Sequence, residues 1–125
     1  GVAAIRAAGK VRIIHNTFEC PSPRKGGPPQ FAVWGLPGSV IVFVDNDVRG
    51  WRQALQADKA SVVATDNRVA DYWQVGMRIT EPAAAPVITG NRFHSATEHP
   101  GVTVVGDQGT VEDNRVERPA SQGSP

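Results

Sequence analysis

The sequence predicts an all-β solenoid, a coil in which short strands stack on copies of themselves. A motif of asparagine, arginine and an apolar residue recurs as TDNRV at 65–69, TGNRF at 89–93 and EDNRV at 112–116. Aligned on this asparagine, five segments carry an apolar residue three positions before it and another two positions after it. The chain also has 13 glycines and 10 prolines, which suit short strands joined by turns better than long helices.

The repeat sets the predicted domain boundaries. The aligned asparagines are Asn16, Asn46, Asn67, Asn91 and Asn114. Their separations are 30, 21, 24 and 23 residues, and the long first interval holds the Pro/Gly-rich segment PSPRKGGPPQ at 21–30. Without this insertion the period is a little over twenty residues, the size of a unit that must stack to bury its apolar face. We therefore predict one domain over 1–118 with a loop insertion at 21–30, and a disordered tail at 119–125.

Each unit is predicted to contain a short strand, a turn, a second strand, a bend at the asparagine and a third strand. The first strands are GVAAIRA from 1, FAVWG from 31, WRQALQA from 51, GMRIT from 76 and GVTVVG from 101. The segment 51–60 is rich in helix formers and has no β-branched residue, so a local helical turn is the alternative there. Against that alternative, Leu55 precedes Asn67 by twelve residues, as Ile79 precedes Asn91.

A stacked coil gives the asparagine a physical role. Equivalent residues lie ~4.8 Å apart along the stack, and a side-chain amide has both a donor and an acceptor. Asparagine also tolerates the left-handed backbone conformation that a sharp bend requires. The sequence therefore predicts an asparagine ladder at one corner of the coil.

The pattern in GVAAIRAAGKVRIIHNTF and GMRITEPAAAPVITGNRF resembles the right-handed parallel β-helix repeat of the pectate-lyase-like superfamily. The resemblance covers about residues 1–118 and implies a right-handed parallel β-helix of about five rungs. In that family the ladder asparagines stand between the second and third sheets. The chain departs from the family in its small number of rungs and in opening on a strand without a capping helix. We expect either part of a longer coil or a miniature one whose open end a partner covers.

Charge and hydropathy exclude several classes of partner. The net charge is +1, so there is no strong field to attract nucleic acid or an anionic membrane. No apolar run approaches the ~20 residues of a membrane span, and the first residues lack the pattern of a signal peptide. We expect a soluble protein, and the sequence does not indicate its compartment.

The residues that flank the asparagines are the candidates for chemistry. Asp45, Asp66 and Arg68 are the nearest match to the acidic and basic groups that the resemblance implies for an enzyme acting on uronic-acid polymers. Asp45, Asp47 and Asp66 are the candidates for a calcium site, since Ca²⁺ prefers carboxylate oxygens. The alternative for both sets is a solvated ladder of charges in which Asp66 and Asp113 offset Arg68 and Arg115.

The aromatic residues are candidates for a second kind of site. Trp34, Trp51, Tyr72 and Trp73 can stack on sugar rings or form a subunit contact, and the alternative is that they pack under loops.

The function predicted from these features is a non-catalytic structural module that self-associates through exposed solenoid ends or an aromatic flank. The partner would then be a second copy of the chain. The alternative is a carbohydrate-active fragment that resembles a polysaccharide lyase or epimerase, or a glycan-binding fragment, with a polysaccharide as its partner. The repeat is specific for the fold rather than for an activity, because one fold can carry many functions.

Overall fold

The computed structural model describes residues 2–20, 30–95 and 99–117, and in these segments every element is a β-strand. The strands form three five-stranded sheets whose neighbours all pair in parallel, which confirms the predicted all-β parallel solenoid. From the first to the last strand of each sheet the coil makes about four turns. We call one set of three consecutive strands a rung.

The strands follow one another from sheet to sheet. The first sheet contains β1 (Val2–Ala7), β4 (Gln30–Gly35), β7 (Gln53–Asp58), β10 (Met77–Thr80) and β13 (Val102–Val105). The second contains β2 (Lys10–Ile14), β5 (Val40–Val44), β8 (Ser61–Thr65), β11 (Val87–Thr89) and β14 (Thr110–Glu112). The third contains β3 (Thr17–Glu19), β6 (Asp47–Arg49), β9 (Arg68–Ala70), β12 (Arg92–His94) and β15 (Arg115–Glu117).

The strand register confirms the two apolar columns of the sequence alignment. The column three residues before the asparagine stacks in the second sheet as Ile13, Phe43, Ala64, Ile88 and Val111. The column two residues after it stacks in the third sheet as Phe18, Val48, Val69, Phe93 and Val116. Both columns point inward, and their middle members are fully buried, so the repeat and the core are the same set of residues.

The segment 51–60 forms a strand, not the helical turn that was weighed for it. β7 pairs with β4 on one side and β10 on the other, and Ala54, Leu55 and Ala57 are fully buried. Tertiary pairing overrides the helix propensity of this segment. The spacing argument for the strand was wrong in detail, because Leu55 pairs with Met77 rather than with Ile79.

The bend is made by the residue before each asparagine, and not by the asparagine itself as the sequence suggested. The left-handed residues are His15, Asp45, Asp66, Gly90 and Asp113, with φ between 55° and 69°. Histidine, aspartate and glycine tolerate this region better than branched residues do. Because the bend comes one residue earlier, the asparagine side chain turns inward.

Two sequence predictions fall largely outside the described residues. The insertion at 21–30 is described only at Gln30, which is the first residue of β4, and the tail at 119–125 is not described. The described segments contain no helix with the length and hydrophobicity that a bilayer crossing demands.

Candidate functional site

The asparagine ladder joins all five rungs. The backbone N–H and the side-chain Nδ2 of Asn46 both donate to Oδ1 of Asn67, at 2.8 and 3.0 Å. Asn67 donates in the same way to Asn91, at 2.9 Å for both bonds. The other hydrogen atom on each Nδ2 is donated to a carbonyl oxygen of the preceding rung, as from Asn67 to Phe43 O at 2.9 Å. The three middle asparagines are buried, so each amide hydrogen bonds to other protein groups in place of water: Asn46, Asn67 and Asn91.

The ladder has a direction. Asn16 donates to Oδ1 of Asn46 from its backbone at 2.9 Å, and Asn91 donates to Oδ1 of Asn114 at 3.0 and 2.9 Å. Among the described residues, Oδ1 of Asn16 accepts no hydrogen bond and the backbone N–H of Asn114 donates none. The ladder therefore ends in an acceptor at the amino-terminal rung and in a donor at the carboxy-terminal rung.

The last rung, β13 to β15, leaves apolar side chains open; we call this face the carboxy-terminal end surface. Val111 and Val116 stand in the two inward columns, yet each is 38% exposed. Ile88 and Phe93, their neighbours one rung earlier, are 0% exposed. The difference arises because a further rung covers Ile88 and Phe93, whereas no described strand covers Val111 and Val116.

The two ends of the coil carry opposite charge. The described residues of the first rung, 2–20, contain three cations against one anion, a net charge of +2 with histidine neutral: Arg6, Lys10, Arg12 and Glu19. The last rung, 99–117, contains one cation against four anions, a net charge of −3: Arg115, Asp107, Glu112, Asp113 and Glu117. The near-neutral total of the chain therefore conceals a difference between its ends.

The charged corner is a set of ion pairs centred on Asp45. His15 Nδ1 lies 2.8 Å from Asp45 Oδ2, and an Arg68 guanidinium nitrogen donates to Asp45 Oδ1 at 3.3 Å. These bonds, first from His15 and then from Arg68, hold the pKa of Asp45 below its ordinary value. The structure thus joins Asp45 and Arg68, as the sequence suggested, but in a pair that keeps the carboxyl ionised.

Asp66 does not join this cluster. Arg68 instead reaches Asp47, with Nε 3.9 Å from Oδ2, and among the described residues no ion pair joins Arg68 to Asp66. The Asp66 carboxylate lies over Gly90, where a Cβ would meet its Oδ1 at 2.6 Å. In the described part of the chain, no three His, Cys, Asp or Glu side chains are grouped so that they could hold a metal ion. This finding covers the three residues that the sequence offered as calcium ligands, Asp45, Asp47 and Asp66.

The four aromatic candidates divide into two pairs. Trp51 and Tyr72 are buried in the core, and Tyr72 packs edge-on against Phe93 with ring centroids 6.1 Å apart. Their ring faces are therefore not open to a ligand. Trp34 and Trp73 are half-buried, and each has an arginine over its ring: Arg6 at 5.2 Å from Trp34 and Arg52 at 5.9 Å from Trp73.

A polar network on the first sheet was not found from the sequence. Gln53 donates to Gln56 at 2.6 Å, Gln56 donates to Asp58 at 2.9 Å, and the Thr80 hydroxyl bonds the same carboxylate oxygen of Asp58. Gln56 stands between Trp34 and Arg78 in the strand register. Gln53, Gln56 and Asp58 lie in one strand, β7, and only Thr80 comes from the neighbouring rung.

The comparisons with known proteins return no relative: no family model matches the chain, and no curated protein or solved structure is significantly similar to it. The functional proposal therefore starts from the geometry of the coil and of its two ends.

Proposed function

We propose that this chain is a non-catalytic structural module that self-associates through the carboxy-terminal end surface. The observation that carries the proposal is the exposure of Val111 and Val116 at 38%, against 0% for Ile88 and Phe93 in the same columns. Apolar side chains in a core column gain free energy when a further layer covers them. A second copy of the chain supplies such a layer, and association removes the exposed valines from water.

The strand edges of the last rung add to this tendency. An unpaired parallel edge presents a row of backbone donors and acceptors and is a template for another strand. Short solenoids need a cap or a partner at such an edge. The ladder donor of Asn114 lies on the same edge, so apolar and polar groups that can pair are found together.

The charged corner supports a structural rather than a catalytic role. A carboxyl with a lowered pKa is not suited to donate a proton near neutral pH, and Asp45 is such a group. Arg68 lies in ion pairs with Asp45 and Asp47, at 3.3 and 3.9 Å, so its guanidinium already contacts two carboxylates. These contacts stabilise the corner of the coil where β2, β5 and β8 end.

Sedimentation velocity over a concentration series tests the proposal. The wild-type chain is expected to associate as its concentration rises, and Val111→Lys is expected to keep it monomeric by placing a charge in the contact. Val63→Lys is the matched control, because Val63 is 37% exposed in the same sheet but faces outward on an interior strand. A wild-type chain that stays monomeric, or a Val111→Lys chain that associates like the control, would contradict the proposal.

Glycan binding on the first sheet is a second candidate, favoured by one specific arrangement. Trp34 lies in register with Gln56 beside the Gln53–Gln56–Asp58–Thr80 network, so a half-exposed ring adjoins a row of polar groups. Sugars are recognised by such combinations of an apolar face and fixed hydrogen-bonding groups. We further propose, from the repeat pattern and from the right-handed connections that parallel strands favour, a right-handed coil of the pectate-lyase-like superfamily.

Titration with neutral and acidic oligosaccharides, followed by calorimetry, tests this second candidate. Binding is expected to disappear in Trp34→Ala and to persist in Trp73→Ala, since Trp73 lies outside the strands of the first sheet. The lyase form of the alternative predicts absorbance from unsaturated uronate on pectin or alginate, with or without Ca²⁺. No heat and no absorbance across these ligands would remove the carbohydrate candidate.

A further inference from the structure

We infer that the outer side of the third sheet binds an α-helix of a partner protein, one that carries a row of acidic residues. The inference goes beyond the proposed self-association and does not rest on it. This face lies on the side of the coil, so it stays open whether or not the ends of the coil are covered.

Three exposed arginines form one outward column of this sheet, which we call the arginine row: Arg68, Arg92 and Arg115. They stand directly opposite one another on β9, β12 and β15. Arg68 contacts Asp45 and Asp47, whereas no ion pair within the described segments involves Arg92 or Arg115. Like charges opposite one another on neighbouring strands destabilise a sheet. An acidic partner relieves this repulsion without disturbing the core, because the arginine side chains point outward.

An acidic row runs beside the arginine row. Asp66 and Asp113 make the bend two residues before the first and the last of these arginines, and both are exposed. Gly90 takes this place in the middle rung. A uniformly negative polymer, such as a nucleic acid or a polyuronate, is therefore attracted by one row and repelled by the other. A partner with two parallel rows of opposite charge gains from both, so the charge pattern favours a protein surface.

The spacing of the arginines fits a helix better than an extended peptide. Neighbouring strands lie ~4.8 Å apart, so three positions of the row span ~9.6 Å. Side chains at i, i+4 and i+7 of a helix form one stripe and span ~10.5 Å, whereas three side chains on one face of an extended strand span ~13 Å. Glutamates on such a helical stripe therefore face all three arginines. Lysines beside the first and the third glutamate face Asp66 and Asp113.

Two designed helical peptides test the inference on the full chain. The striped peptide carries glutamate at i, i+4 and i+7, lysine at i+1 and i+8, and alanine or glutamine elsewhere. The scrambled peptide has the same composition without the stripe. Fluorescence anisotropy of the labelled peptides at low salt measures binding. The chain is expected to bind the striped peptide at least about tenfold more tightly than the scrambled one, and the preference is expected to shrink as salt rises.

Charge-reversed variants locate the contact. Arg92→Glu with Arg115→Glu is expected to weaken binding of the striped peptide at least about tenfold, because like charges then meet. Arg12→Glu with Arg78→Glu is the matched control: it changes the net charge equally, on exposed residues of the other two sheets, and is expected to bind like wild type. Circular dichroism and thermal melting check that the variants remain folded. Arg92→Gln with Arg115→Gln is a milder variant that is expected to weaken binding in the same direction.

A rescue experiment adds a readout that a loss of folding cannot imitate. Arg92 is the middle member of the row, so Arg92→Glu is expected to recover binding when the middle glutamate of the striped peptide is replaced by lysine, in either direction of the helix. Val111→Lys is expected to bind the striped peptide like wild type, so a failure of the proposed self-association leaves this result unchanged.

Three results would overturn the inference. The first is a wild-type chain that does not prefer the striped peptide to the scrambled one. The second is binding by Arg92→Glu with Arg115→Glu that equals wild type. The third is an oligonucleotide or a polyuronate that binds the arginine row more tightly than the striped peptide does, which would replace the helix as the occupant.

Discussion

The first and last rungs of the coil present the same columns in opposite states. Ile13 and Phe18 in the first rung are 3% and 9% exposed, whereas Val111 and Val116 in the last rung are both 38% exposed. The repeat position decides only that these side chains face inward. Whether they are buried depends on what covers them. The free energy gained by burying apolar surface therefore differs between equivalent positions of the repeat.

The asparagine ladder shows the same contrast between interior and end. Asn67 is buried and its amide bonds both neighbouring rungs, while Asn114 is half-exposed and, within the described segments, bonds the rung before it alone. Interior rungs therefore contribute the cohesion of the coil, and the last rung remains open to further pairing.

Truncating an inward side chain should have the largest effect, and the effect should depend on the rung. Phe93→Ala is expected to lower the free energy of unfolding by about 3–5 kcal/mol, because it leaves a cavity in a fully buried site. Val116→Ala is expected to cost less than about 1 kcal/mol, because Val116 is already 38% exposed. Urea unfolding at low protein concentration measures both values. Equal costs would contradict the contrast between the interior and the end.

Removing a ladder amide should come next in size. Asn67→Ala leaves the backbone N–H and Nδ2 of Asn46 and the carbonyl of Phe43 without their partner, at an expected cost of about 3 kcal/mol. Asn114→Ala is expected to cost about 1 kcal/mol, because water reaches the groups that it exposes. Thermal melting of the pair is the measurement, and an Asn67→Ala chain that melts like the parent would refute the ladder.

Changing the charged corner should have a small effect that depends on pH. The bonds from His15 and Arg68 lower the pKa of Asp45 in the folded chain from its ordinary 3.8, so its ionised form favours folding. This contribution is present above that pH and is lost as the pH falls through the lowered pKa. Asp45→Asn is therefore expected to melt below wild type at about pH 6, and the difference is expected to shrink as the pH falls below 3.8. A melting difference that persists unchanged in acid would contradict this assignment.

Arg68→Ala should have the smallest effect. Its guanidinium is half-exposed, and its pairs with Asp45 and Asp47 at 3.3 and 3.9 Å are in contact with water. The expected change in the free energy of unfolding is within about 0.5 kcal/mol. Urea unfolding beside Asn67→Ala, one residue away, provides the comparison. A loss as large as that of Asn67→Ala would show that the outward column also holds the coil together.

The fold was predictable because its information is repeated along the sequence. Five asparagines in phase with two apolar columns specify the stacking, and the structure confirms the register of both columns. Residues 51–60 were ambiguous because their local propensity is helical, and only pairing with β4 and β10 decides for a strand.

The candidate site was less accessible from the sequence for a physical reason. Aromatic identity does not reveal burial, so the sequence could not separate Trp51 and Tyr72, which are buried, from Trp34 and Trp73. The sequence did not identify which residue makes the bend, because both that residue and the following asparagine tolerate the left-handed region. The charge difference between the ends becomes visible only when the chain is divided into rungs.

Hydrogen exchange measured at several protein concentrations tests the central claim most directly. Backbone amides of residues 102–117 in the carboxy-terminal end surface should gain protection as the concentration rises, while those of residues 53–70 in the interior stay unchanged. If the amides of 102–117 exchange at one rate at every concentration, the carboxy-terminal end surface is not an association surface.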